Sequence, residues 1–135
     1  MRALGRAIAV TAAVLALQAA GCSSESPSEP GNAVSLDNHV QPVFDLNCLR
    51  GCHRSGGIAS FLDLSPSRSW SSLVAVPAAY SPGTLVVPGD PAGSVLWLRV
   101  MGASAGSRMP MGGRPLGRAD QSLIRYWIAE GAPDN

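Results

Sequence analysis

Apolar residues recur at helical spacing early in the chain: Leu36, Val40, Val43 and Phe44, with Leu46 beyond them, share one face after Ser35. Pro42 sits inside that run, so a regular helix is expected to begin there, with proline in its first turn. The pattern breaks at Cys48–Gly57, where Gly51, Gly56 and Gly57 predict a flexible loop. Ser65 or Ser67 can cap a second helix through Trp70, Leu73 and Val74, and Leu85–Val87 reads as a short strand. Asp90 followed by Pro91 signals the start of a third helix, with Val95, Leu98 and Met101 as its stripe and Leu96 and Trp97 widening it. Gly102–Gly117 is irregular. The last helix is predicted over Arg118–Glu130, with Leu123, Ile124, Trp127 and Ile128 on one face and Gly131 as the stop. The fold class is therefore mostly α: a small domain of about four helices with long loops.

Upstream of these elements the pattern changes. Arg2 and Arg6 precede an apolar stretch, Ala7–Ala20, interrupted only by Thr11 and Gln18. At 1.5 Å per residue such a stretch covers about 21 Å, short of the roughly 30 Å hydrocarbon core, so it reads as an export signal rather than a membrane span. Ala19-Ala20-Gly21-Cys22 resembles the lipobox of bacterial lipoproteins, in which the signal is cut before a cysteine that becomes lipid-modified. The competing reading is an ordinary signal peptide with an incidental cysteine. The polar tract after Cys22 is too poor in apolar residues to fold and serves as a tether. The division is thus residues 1–21 signal, 22–33 tether and 34–135 folded domain. Ser23 and Ser24, with no acidic residue next to Cys22, fit outer-membrane sorting in a two-membrane bacterium; exposure on the periplasmic side is the broader expectation.

Composition narrows the function. The chain has 135 residues with 10 basic and 9 acidic side chains, and every basic residue is Arg. These are scattered, so no basic face for nucleic acid is expected. Membrane contact is expected through lipid on Cys22. Only two Phe, two Tyr and three Trp are available to build a core, which leaves room for a non-protein body to fill it.

Cys48-Leu49-Arg50-Gly51-Cys52-His53 carries the chemistry. The usual c-type haem attachment signature is C-x-x-C-H, in which two thiols add to the haem vinyl groups and the histidine becomes an axial ligand. This hexad has one extra residue between the cysteines, which leaves open whether both thioether bonds form. Three other readings compete: a Cys48–Cys52 disulfide in an oxidising compartment, a zinc site that would have to recruit His39, and a redox-active dithiol. Haem iron held by His and Met suits electron transfer, and the late glycine-rich loop offers Met109 and Met111. Met109 is the preferred ligand, because Pro110 restricts the backbone around it, and Met111 is the second choice.

Together these pieces resemble the small class I-like c-type cytochrome domains of bacteria, especially the planctomycete-type and related membrane-associated cytochromes. The matching segments are Val40-Gln41-Pro42-Val43-Phe44, Cys52-His53, Leu62-Asp63-Leu64, Val87-Pro88-Gly89-Asp90-Pro91, Ser94-Val95-Leu96, Met109-Pro110, Leu123–Ile128 and Gly131-Ala132-Pro133. The resemblance implies one covalent haem c on Cys48 and Cys52, with His53 and Met109 as axial ligands. It also implies terminal helices packed together with Trp127 near their contact. The expected function is a lipid-anchored monohaem electron carrier rather than an enzyme, working with redox partner proteins. The rivals are a non-haem structural or binding lipoprotein pinned by a Cys48–Cys52 disulfide, and a haem sensor or peroxidase-like protein with an open iron position.

Overall fold

The computed structural model describes residues 33–103 and 105–135. The signal segment 1–21, Cys22 and nearly all of the tether lie outside the described residues. Among those described, four short helices are joined by long loops, and strand pairing is limited to isolated bridges. No helix of the described residues is long and apolar enough to cross a membrane.

The first helical run begins where Ser35 predicts, since the Ser35 side chain accepts a hydrogen bond from the Asn38 N–H. It opens as a π-wound turn, Leu36–Val40, and tightens into α1, Gln41–Asn47, at the point where Pro42 can occupy the first turn. Leu36, Val40, Val43 and Phe44 are buried, as their spacing predicts, whereas Leu46 is exposed. The short α2, Ser69–Leu73, follows a long loop. Pairing at Leu85–Val87 amounts to single bridges from Val86 to Val74 and from Val87 to Asp90, not a strand.

The third helix departs from the sequence signal. α3 spans only Val95–Met101, with Ser94 before it. Asp90 does accept a hydrogen bond, but from the Gly93 N–H, so its carboxylate closes a turn rather than starting the helix. Ser94 is fully buried, and its hydroxyl bonds the Asp90 carbonyl and accepts from the Val87 N–H, tying that turn to α3. The buried face of α3 is also rotated from the expected stripe: Val95 and Val100 are buried and Met101 is exposed. α4 spans Arg118–Ala129 and buries Ile124, Trp127 and Ile128. Gly131, at φ 98°, turns the chain out of it.

The core forms where the π-wound turn and α1 meet α4, with Leu36, Val40, Phe44, Ile124, Trp127 and Ile128 in one cluster. Trp127 is fully buried, and its Nε1 donates to the Pro133 carbonyl at 2.9 Å. Asn135 closes this side by accepting from the Leu36 N–H through its side chain and from the Asp37 N–H through its carbonyl, each at 2.8 Å.

Candidate functional site

Cys48 stands at the C-terminal end of α1, so the helix fixes where the hexad begins. The extra residue between the cysteines is taken up by a wide turn: the His53 N–H donates to the Cys48 carbonyl at 3.0 Å, five residues back rather than the four of an α-helix. Gly51 sits in that turn at φ 75°, a conformation glycine adopts without strain. The loop that follows is knitted to it. Ile58 N–H donates to the Gly51 carbonyl at 3.0 Å, Ala59 N–H to the Cys52 carbonyl at 3.3 Å, and Leu64 N–H to the His53 carbonyl at 2.9 Å.

These elements wall one side of a cavity holding about 730 Å³ of empty space, part of it open to solvent. Phe44 and Cys48 from α1, His53, Phe61 and Leu62 from the loop, and Val95, Leu96, Arg99 and Val100 from α3 line it, with Met109 and Pro110 from the late loop. The Met109 N–H donates to the Arg99 carbonyl at 3.0 Å, which anchors that loop to the end of α3. Of the residues singled out in the sequence, Cys48, His53 and Met109 therefore line one cavity. Cys52 is half-buried beside them without lining it, and Met111 is 67% exposed and outside it. His39 serves the fold elsewhere, its Nδ1 accepting from the Ser35 N–H at 2.9 Å.

Cys48 and Cys52 are free thiols. Burial, reinforced by the neighbouring Cys52, pushes the Cys48 thiol up to about 12, so it stays protonated at neutral pH. A reactive dithiol needs the opposite shift. The His53 imidazole is held below its ordinary value, mainly by burial; the carbonyls of Leu62 and Ala59 pull the other way and the Arg99 charge adds to the lowering. A neutral imidazole keeps a lone pair for a metal. His53 Nδ1 is buried without a hydrogen-bond partner. Buried polar atoms are nearly always paired, so an orphaned ring nitrogen in an apolar cavity fits a residue whose partner is a bound group. The aromatic edge of the cavity is exposed: Phe61 and Tyr80 are 60% and 74% accessible and meet edge to face at 4.8 Å. A second hollow, between α1 and α2, is lined by Asp37, Asp45, Asp134 and Trp70 and contains none of these groups.

Sequence reasoning missed two polar residues. Gln41 is buried and joins three elements, donating to the Leu64 carbonyl and Asp45 while accepting from the Ser69 hydroxyl. Arg99 was hidden because the stripe was drawn through Leu98, whereas the 95, 96, 99, 100 spacing turns Arg99 toward the cavity.

No family model matches the chain, and no curated protein matches it. Among solved structures it is similar to hydrazine synthase of Kuenenia stuttgartiensis, at 25% identity and a TM-score of 0.53, over 73% of this chain. The match spans 16% of that larger chain, so the likeness is to one segment of it.

Proposed function

We propose that the chain is an exported, lipid-anchored monohaem c-type cytochrome that carries single electrons. The observation that carries this reading is the convergence of Cys48 and His53 from the hexad and Met109 from the late loop on one largely apolar cavity. The likeness to one segment of a hydrazine synthase supports a haem-related or redox-associated role. A haem would supply a one-electron iron couple, its potential set by axial ligands, burial and nearby charge.

The residues fit that group in distinct roles. Cys48, in the cavity wall, and Cys52, beside it, are the thiols that would hold the group covalently. The wide turn at Gly51 lets Cys48 and His53 share the cavity wall despite the extra residue. His53 offers a neutral ring nitrogen, and Met109 a thioether on a loop fixed by its own backbone bond to α3. Leu62, Leu96, Val100 and Ile124 exclude water from the interior. Cys22 is the proposed lipid site, which would hold the domain on the periplasmic face of a membrane within reach of redox partners.

The test is export in a host that matures c-type cytochromes, followed by a denaturing gel stained for haem. The full chain is expected to retain the stain, and the Cys48→Ala, Cys52→Ala double variant to lose it. Absence of covalent haem, where a control cytochrome is matured, would overturn the reading in favour of a non-haem lipoprotein.

A further inference from the structure

We propose that the mouth of the cavity is a docking face for a protein with a carboxylate-rich surface, with Arg50, Arg54, Arg108 and Arg114 as its rim and Ile58, Phe61 and Tyr80 as its apolar centre. The proposal rests on the haem reading in that the partner is then one that exchanges electrons through this mouth.

Across residues 33–135 eight arginines and seven carboxylates nearly balance, so net charge favours no partner. Their distribution does. The two segments that bring His53 and Met109 to the cavity, 46–62 and 91–119, contain arginines and no carboxylate. Arg50 and Arg54 bracket Cys52-His53, Arg108 and Arg114 bracket Met109-Pro110, and all four arginines are exposed. The carboxylates on either side of the hexad are engaged elsewhere. Asp45 accepts from Gln41 and lines the hollow between α1 and α2 with Asp37 and Asp134, while Asp63 accepts from the Ser65 N–H and faces Arg68 at 4.0 Å. Among the described residues no carboxylate pairs with any of the four arginines.

Exposed apolar side chains accompany them. Phe61 and Tyr80 meet edge to face on the cavity lining, and Ile58, 83% exposed, is tied to the hexad turn by its N–H bond to the Gly51 carbonyl. An apolar centre within a charged rim is the anatomy of a protein–protein interface, where arginine and aromatic residues are enriched. Arginine also presents a planar fork matched to carboxylates. Attraction to anionic lipid uses runs of basic residues or a basic helix face instead, whereas these four arginines stand singly in two loops. A face of one sign steers encounter and raises the association rate, an effect that salt removes.

The experiment follows electron transfer in stopped flow between the full chain, matured with haem, and an acidic blue copper protein at rising salt concentration. The second-order rate is expected to fall about tenfold or more from low to high salt. At low salt the Arg50→Gln, Arg54→Gln pair and the Arg108→Gln, Arg114→Gln pair should each slow it about threefold to tenfold and leave the high-salt rate unchanged, while Asp37→Asn, Asp134→Asn should change it less than about twofold. Phe61→Ala should slow it at every salt concentration. A rate that ignores salt or the arginine pairs, or that responds as strongly to the aspartate pair, would overturn the docking face. An arginine effect on binding to phosphatidylglycerol vesicles, absent with the copper protein, would make the face a membrane contact and overturn it likewise. If no covalent haem forms, salt-sensitive binding of the same copper protein to the haem-free chain, weakened by the arginine pairs, would leave the face standing while the haem reading falls; no binding would overturn both.

Discussion

The two sides of this domain are finished to different degrees. Where the first helical run meets α4, Phe44, Val40, Ile124, Trp127 and Ile128 are fully buried, and Asn135 satisfies the free amides of Leu36 and Asp37. On the cavity side Ile58, Phe61 and Tyr80 are more than half exposed, a ring nitrogen of His53 is buried without a partner, and Arg99 has no counter-charge among the described residues. One side is a protein core. The other has apolar walls, an unpartnered ring nitrogen and a cation. A group that binds only the folded state, as in the proposed reading, would contribute surface and free energy on that side.

That contrast can be broken by substitution. Trp127→Ala removes the largest fully buried side chain and its bond to Pro133, and should cost about 3–5 kcal/mol in denaturant unfolding, with or without haem. A loss below about 1 kcal/mol would show that the closed side is not the stability centre. Gln41→Ala strands the Ser69 hydroxyl and the Leu64 carbonyl at the junction of α1, the loop and α2, for an expected loss of about 1–3 kcal/mol. Phe61→Ala on the open side should cost less than about 1 kcal/mol in the haem-free chain, because the ring is largely exposed and its aromatic contacts, with Tyr80 and His53, are edge-on. A larger cost in the haem-loaded protein would sharpen the contrast.

The smallest effect concerns Asp63. The Ser65 hydroxyl and N–H, helped by Arg68, hold its carboxyl below the ordinary 3.8. Because the folded value is depressed, the contribution is present above that pH and is lost as pH falls through 3.8 and below. Asp63→Asn should flatten this limb of the acid-unfolding curve by removing that small contribution at neutral pH, while stability at low pH stays nearly unchanged.

Much of the closed side was legible in the sequence. The stripe of Ile124, Trp127 and Ile128 and the glycine after it locate α4 to within a residue, and Ser35 marks the first helical start, because burial and capping are local signals. The third helix was misread for an equally local reason. Asp90 and Pro91 suit a turn as well as a helix start, and only the buried Ser94, bonded back to Asp90 and Val87, decides between them. The hexad and Met109 could be picked out by residue type. That they share a cavity could not, since it depends on a wide turn at Gly51 and on the backbone bond from Met109 to Arg99. Gln41 and Arg99 gave no signal, because a polar residue on a helix is usually solvated and only tertiary contacts reveal one that is not.

On the proposed reading, His53 and Met109 are the residues that would hold a haem iron. The most direct test is the visible spectrum of the oxidised, matured protein, read for the methionine-to-iron charge-transfer band in the unaltered chain, in Met109→Ala and in Met111→Ala. The account predicts the band in the unaltered chain and in Met111→Ala and its loss in Met109→Ala. A band that survives Met109→Ala, or a haem-loaded protein without one, would contradict it.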